Sequence, residues 1–269
     1  MDNRPIGFFD SGLGGLSCLP SLLKKMPNEK VVYYGDTART PYGSKSTATI
    51  EKFSFQISDY LVEHNVKMIV IACNTISATC LDALRRRHPQ IPIIGVIEPI
   101  SQKIARDTSE ETKIGVIGTK VTISSGAYAN QITSRNKKVK LFSKACPAFV
   151  PLIEEGIIDD EIMDLTIKHY LDDFISDNGI TKLVLGCTHY SFLTDNLHRI
   201  YPDLELLNPS QEVINTVQEI LQKNDQLAGP NSLEHQCFAS DLSEVFMNMI
   251  SRIFNDESDV TVNIKKFED

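Results

Sequence analysis

The sequence predicts an α/β fold made of two pseudo-symmetric, mainly parallel-sheet domains with a cleft between them. Three observations predict it. Short runs rich in Val, Ile and Phe alternate with longer amphipathic stretches from end to end. A weak internal repeat pairs IVIACNT at 69–75 with LVLGCTH at 183–189, and GFFDSG at 7–12 with GVIGTK at 115–120, at offsets of 114 and 108 residues. In both copies a cysteine follows an apolar strand and opens a helix. Chance likeness between buried parallel strands, all rich in Val, Ile and Leu, is the competing account, and the matched cysteines weigh against it.

The expected strands are 4–10, 31–35, 67–72, 91–96, 113–118, 139–143, 182–186 and 204–207, with two more near 235–239 and 260–264. Each is a short apolar run bounded by polar or turn residues, as a strand buried on both faces should be. The expected helices are 14–25, 47–64, 75–88, 98–107, 122–135, 160–177, 191–200, 210–223 and 242–254. Three of these meet stop signals: His88 precedes Pro89, Asn178 precedes Gly179 and Tyr201 precedes Pro202. Segment 224–234 reads as a loop from its Gly, Pro, Asn and Ser content. At about 150 residues per domain, 269 residues allow one large domain or two small ones. The repeat favours two Rossmann-like units: residues 1–97, residues 98–209, and a tail at 210–269 that returns to complete the first.

Composition narrows the function. A net charge of -8 and a pI near 5.3 argue against a nucleic-acid-binding surface. No apolar run approaches the roughly 18 residues of a membrane helix, and MDNRPIGFFDSG lacks the basic and apolar regions of an export signal. The six cysteines, at 18, 73, 80, 146, 187 and 237, are expected as reduced thiols in a cytoplasm, and none are spaced C-x-x-C.

In parallel sheets, ligands bind beyond the carboxyl ends of the strands. The residues there are Asp10-Ser11-Gly12, Asp36-Thr37, Cys73-Asn74-Thr75, Thr119 and Cys187-Thr188-His189. Cys73 and Cys187 both open helices, where the dipole favours a thiolate, so a thiol pKa lowered toward neutrality is expected. The other four cysteines read as packing. Thiols on opposite repeats would face each other across the cleft. That arrangement suits inversion of a stereocentre through a carbanion, with a thiolate on one face of the carbon and a thiol on the other. His189 is placed to relay the proton of Cys187, and Asp10, or else Asp36, that of Cys73. No strand-end segment carries Lys or Arg. Ser11, Thr75, Thr119, Thr188 and the turn Thr40-Pro41-Tyr42-Gly43-Ser44 offer neutral donors instead, which suits an acidic amino acid.

Rivals remain open at this point. Gly12-x-Gly14-Gly15 nearly fits a dinucleotide-binding loop with Asp36 as the ribose acid, which would make an oxidoreductase, but the third glycine is Ser17 and both cysteines would be idle. Cys187 and His189 could be metal ligands, though no further ligand lies close in sequence. A cysteine hydrolase with His189 as base would leave the second cysteine unused.

GFFDSGLGGL (7–16), GDTARTPYG (35–43), IACNTISA (71–78), ACPAFVPLIEEG (145–156) and LGCTHY (185–190) together resemble bacterial glutamate racemases of the aspartate/glutamate racemase superfamily, over residues 5 to about 225. The resemblance implies an enzyme that interconverts L- and D-glutamate without metal or organic cofactor and supplies the D-isomer for peptidoglycan. It implies Cys73 and Cys187 as the two acid/bases, with Asp10, His189 and Glu154 assisting; Glu155 competes with Glu154 for that place. It implies Ser11, Tyr42, Gly43, Asn74, Thr75 and Thr188 as substrate contacts, with Thr119 joining them. Phe8, Cys18 and Ser191 depart from commoner family choices, and none of them removes a catalytic group. The chain has no extension before its first strand, which by analogy weakens regulation by a cell-wall precursor. A homodimer is the expected assembly, and the small-molecule substrate the expected ligand. An aspartate racemase, or a regulatory protein that keeps the fold without catalysis, remains the alternative.

Overall fold

Short, mostly apolar runs form the strands, and among the described residues ten arise: β1 Ile6–Asp10, β2 Val31–Gly35, β3 Met68–Ile71, β4 Ile93–Gly95, β5 Thr112–Gly118, β6 Val139–Ala145, β7 Lys182–Gly186, β8 Glu205–Leu207, β9 His235–Ala239 and β10 Val260–Ile264. The helices are α1 Leu19–Lys25, α2 Thr47–Glu63, α3 Asn74–Thr79, α4 Leu81–Arg87, α5 Ile97–Asp107, α6 Lys120–Ser124, α7 Ala127–Arg135, α8 Phe149–Glu154, α9 Glu161–Asn178, α10 Thr194–Ile200, α11 Pro209–Lys223 and α12 Glu244–Ile253. The computed structural model describes residues 1–108, 112–230, 233–254 and 260–268. Positions 231 and 232 of the expected 224–234 loop lie outside the described residues.

The strands form two all-parallel sheets, ordered β10-β9-β2-β1-β3-β4 and β6-β5-β7-β8. The run β2-β1-β3-β4 in the first sheet has the same order as β6-β5-β7-β8 in the second. The weak sequence repeat is therefore a repeat of topology, with β1 equivalent to β5 and β3 to β7. Two helices join the sheets: α5 leads from β4 into β5, and α11 leads from β8 back to β9.

Alternate strand residues enter different cores, as the period of two requires. Phe8, Tyr33 and Val70 of the first sheet and Val116 and Val184 of the second face a shared central core with α1, α5, α7 and α11. Phe9, Tyr34 and Ile71 pack outward on Ile50, Ile57 and Leu61 of α2 and Leu84 of α4. Ile117, Leu183 and Leu185 do the same on α8 and α9. The central strands are thus covered on both faces, which explains why they read as unbroken apolar runs, whereas the edge strands β6, β8 and β10 keep exposed positions.

Four expected helices are broken. Residues 14–25 begin as a 3₁₀ turn at Gly14–Cys18, because Pro20 sits in the first turn of α1 and the glycines before it disfavour α-helix. Residues 75–88 divide into α3 and α4 at Cys80, which leaves the helical region at φ -121°, ψ -4°. Residues 122–135 divide at Gly126, with φ at +67°. Residues 191–200 begin inside a 3₁₀ turn, Thr188–Leu193, and become α-helical only at Thr194. The expected ends hold: α4 stops at His88, α9 at the left-handed Gly179 and α10 at Tyr201. Among the described residues, no helix is long and apolar enough to cross a membrane.

Candidate active site

Equivalent strands of the two sheets end facing each other. Cys73 lies just beyond β3 and caps α3; Cys187 lies just beyond β7 and caps the 3₁₀ turn. Both side chains are buried, and both line one cavity between the sheets. Ser11, Tyr42, Gly43, Asn74, Thr75, Thr119, Thr188 and His189 line it too, joined by Thr40, Pro41 and Val150. All ten cysteine and contact positions singled out in the sequence therefore meet there. Asp10 and Glu154 stand just behind the lining. No lining residue is Lys or Arg, so anionic groups would meet neutral donors and His189.

The surroundings of the two thiols differ. The Cys187 Sγ lies 3.9 Å from His189 Nδ1, and His189 Nε2 lies 3.1 Å from Glu154 Oε1, forming a relay from thiol to carboxylate. Burial works against a charged imidazole, but the bonds to Cys187 and Glu154 outweigh it and hold the His189 pKa up at about 10. It is Glu154 that reaches His189, while its neighbour Glu155 is exposed. On the other side, Cys73 Sγ donates to Ser11 Oγ at 3.4 Å. Burial and the nearby charge of Asp10 push the Cys73 thiol well up. The lowered pKa expected of a helix start is thus overturned for Cys73, because removal from water outweighs the dipole of so short a helix.

Asp10 does not pair directly with Cys73. Its Oδ2 accepts from Gly15 N–H at 2.8 Å and from the Thr188 hydroxyl at 3.4 Å, the second bond crossing the cleft. Asp36 is neither exposed nor a proton acceptor for Cys73. It is fully buried, and its Oδ2 is held by Arg39 Nε at 2.7 Å and by the Tyr42 hydroxyl.

Two glycines let the halves approach. A Cβ at Gly14 would stand 2.4 Å from Thr188 Oγ1, and one at Gly43 would stand 2.4 Å from Thr119 Cβ. The glycine-rich loop is thus filled by packing against the second unit. With Asp36 already paired, the dinucleotide reading loses both its phosphate cradle and its ribose acid. Among the described residues, no group of three or more His, Cys, Asp or Glu gathers as a metal site.

The cavity holds about 20 Å³, close to the roughly 10–15 Å³ that one water needs by a comparable measure. An amino acid the size of glutamate needs more room. The bonds Thr188 to Asp10, Thr40 to Glu154 at 3.5 Å and Thr75 to Thr119 at 3.0 Å bridge the two halves around the cavity.

The raised His189 pKa predicts a pH-dependent stability. The folded value lies above the unfolded value of about 6.5, so the protonated ring stabilises the fold fully below about pH 6.5. That contribution is lost as pH rises through about 10. Melting temperatures of the wild type and of His189→Gln are expected to converge from pH 6.5 to 10; a constant difference would refute the assignment.

Residues 16–223 match the Asp/Glu/Hydantoin racemase family. A glutamate racemase of Sulfurihydrogenibium sp. (strain YO3AOP1) is 47% identical over 205 residues, covering 76% of this chain and 78% of the relative. One from Geobacter metallireducens is 42% identical over 251 residues, covering 93% and 92%. The crystal structure of Francisella tularensis glutamate racemase in complex with D-glutamate is 36% identical, with a TM-score of 0.89, covering 100% of this chain and 98% of that one.

Proposed function

The chain belongs to the Asp/Glu/hydantoin racemase family, and from that premise we propose that it interconverts L- and D-glutamate by proton transfer between two cysteines and the substrate Cα. The observation that carries this reading is the pair of buried thiols that end equivalent strands and line one cavity from opposite sheets.

In the proposed reaction one cysteine, as thiolate, takes the Cα proton and becomes a thiol. The electron pair stays on the substrate as a carbanion conjugated with its carboxylate. The opposite thiol then delivers its own proton to the other face and becomes a thiolate, so the product carries the other hand. The reverse direction exchanges the roles. Burial supports this chemistry, since a thiolate that is costly to form is a stronger base toward a weakly acidic C–H bond. On the Cys187 side Glu154 fixes His189, which holds the proton that Cys187 releases, and Thr188 reaches across the cleft to Asp10. On the other, the Ser11 hydroxyl accepts from Cys73. Asn74, Thr75, Thr119 and Thr188 supply donors to the two carboxylates. No step requires a metal or an organic cofactor.

The D-isomer would feed peptidoglycan synthesis, and the six free cysteines support a cytoplasmic setting. Incubation with L-glutamate in deuterated water is expected to give D-glutamate with deuterium at Cα. Racemisation that leaves Cα unlabelled, or turnover of aspartate in preference to glutamate, would overturn the reading.

A further inference from the structure

We infer that Tyr128 is a positioning residue, whose hydroxyl fixes the side-chain amide of Asn74 so that the amide nitrogen faces the substrate. The inference rests on the glutamate reading above. Tyr128 sits on α7, packed with the second sheet, and is 3% exposed. Its hydroxyl donates to Asn74 Oδ1 at 2.6 Å across the interface between the halves. Asn74 lines the cavity, whereas Tyr128 does not, so Tyr128 acts through Asn74.

The direction of this bond decides what Asn74 can do. A buried phenol needs a partner and serves best as donor, which claims the amide oxygen and leaves the NH₂ group. Among the described residues this is the only side-chain hydrogen bond of Asn74. Its two N–H donors are therefore available to a substrate carboxylate. Burial, with the nearby Cys187, pushes the Tyr128 phenol up, so it remains a donor at every working pH.

The ring is held as firmly as the hydroxyl. Gly186, the residue before Cys187, makes room for it: a Cβ there would lie 3.2 Å from Tyr128 Cε2 and 2.6 Å from the Ile117 carbonyl oxygen. Tyr128 thus spans from the strand end that carries Cys187 to the helix start that carries Asn74.

The test is a double-mutant cycle with full-length Tyr128→Phe, Asn74→Ala and the double variant. It measures kcat and KM for both glutamate enantiomers together with melting temperature. Y128F is expected to raise KM roughly tenfold, the order of one charge-assisted hydrogen bond, with kcat nearly unchanged. In the N74A background, the same change should add almost nothing to KM. A wild-type KM in Y128F, or effects of the two changes that multiply, overturns the positioning role; a purely structural tyrosine would lower melting temperature and act equally in both backgrounds. A wild type inactive on glutamate would instead remove the reading on which the inference rests.

Discussion

Cys73→Ser and Cys187→Ser are each expected to lower kcat for racemisation in both directions by roughly 10³-fold or more, near the full worth of a positioned acid/base. A serine hydroxyl is close to a thiol in shape, so the cavity and its hydrogen bonds persist. It ionises far less readily and cannot serve as the base, and it is a poorer acid. Because each thiol faces one side of Cα, the two variants should differ in what they retain. Each keeps a base for one enantiomer, so slow exchange of that enantiomer's Cα proton with deuterated solvent should survive without inversion. The check is proton NMR of L- and D-glutamate incubated separately with each variant. Normal racemisation by both would show that these thiols are not the acid and base.

Breaking the Lys67–Glu29 pair is expected to cost about 3–5 kcal/mol of stability, the scale for stranding one member of a buried ion pair. Lys67 Nζ lies 2.7 Å from Glu29 Oε2, and the two side chains are 0% and 1% exposed. The ammonium also donates to the carbonyls of Asp2 and Gln226, and Glu29 Oε1 accepts from Ala228 N–H. One pair therefore ties the N-terminal segment, the amino ends of β2 and β3 and the chain returning after α11. Glu29→Ala would leave the ammonium buried with carbonyls alone. Urea unfolding measures the loss, and replacing both residues with Met should recover much of it. Glutamate turnover below the unfolding transition should change little, since the pair lies at the opposite ends of the strands from the thiols. A loss under about 1 kcal/mol would refute this account.

The central strands were legible in the sequence because burial on both faces leaves no polar alternation to confuse them. The two thiols were legible because the repeat and the strand-end rule point to the same positions. What escaped depends on contacts between distant segments. The break at Cys80 has no Gly or Pro to announce it. Helix α8 is a single turn and a half flanked by Pro147 and carrying Pro151, and it reads as loop. Glu154 and Glu155 are equivalent in sequence and become distinct only when α8 turns one toward His189. Asp36 looked like a cleft residue until the fold set Arg39 and Tyr42 over it. Val150 and Tyr128 carried no signal, since an ordinary apolar residue and an ordinary tyrosine on helices acquire their places only from the opposed unit. The Cys73 thiol misled for a related reason: helix position is visible locally, whereas loss of water is a property of the whole site.

The unlike settings of the two thiols have a thermodynamic consequence. Cys187 has a histidine and a carboxylate behind it, while Cys73 has a serine hydroxyl and a more distant aspartate. Mirror-image substrates have equal free energies in water, so the equilibrium constant is unity whatever the protein does. By the Haldane relation, the specificity constants for the two enantiomers must then be equal. Any advantage that the histidine side gives to kcat for one enantiomer must be matched by a proportionate rise in that enantiomer's KM, or by an equal rise in kcat/KM for the other. The asymmetry of the site is thus free to divide kcat and KM unequally between the two hands, but never to favour one hand at equilibrium.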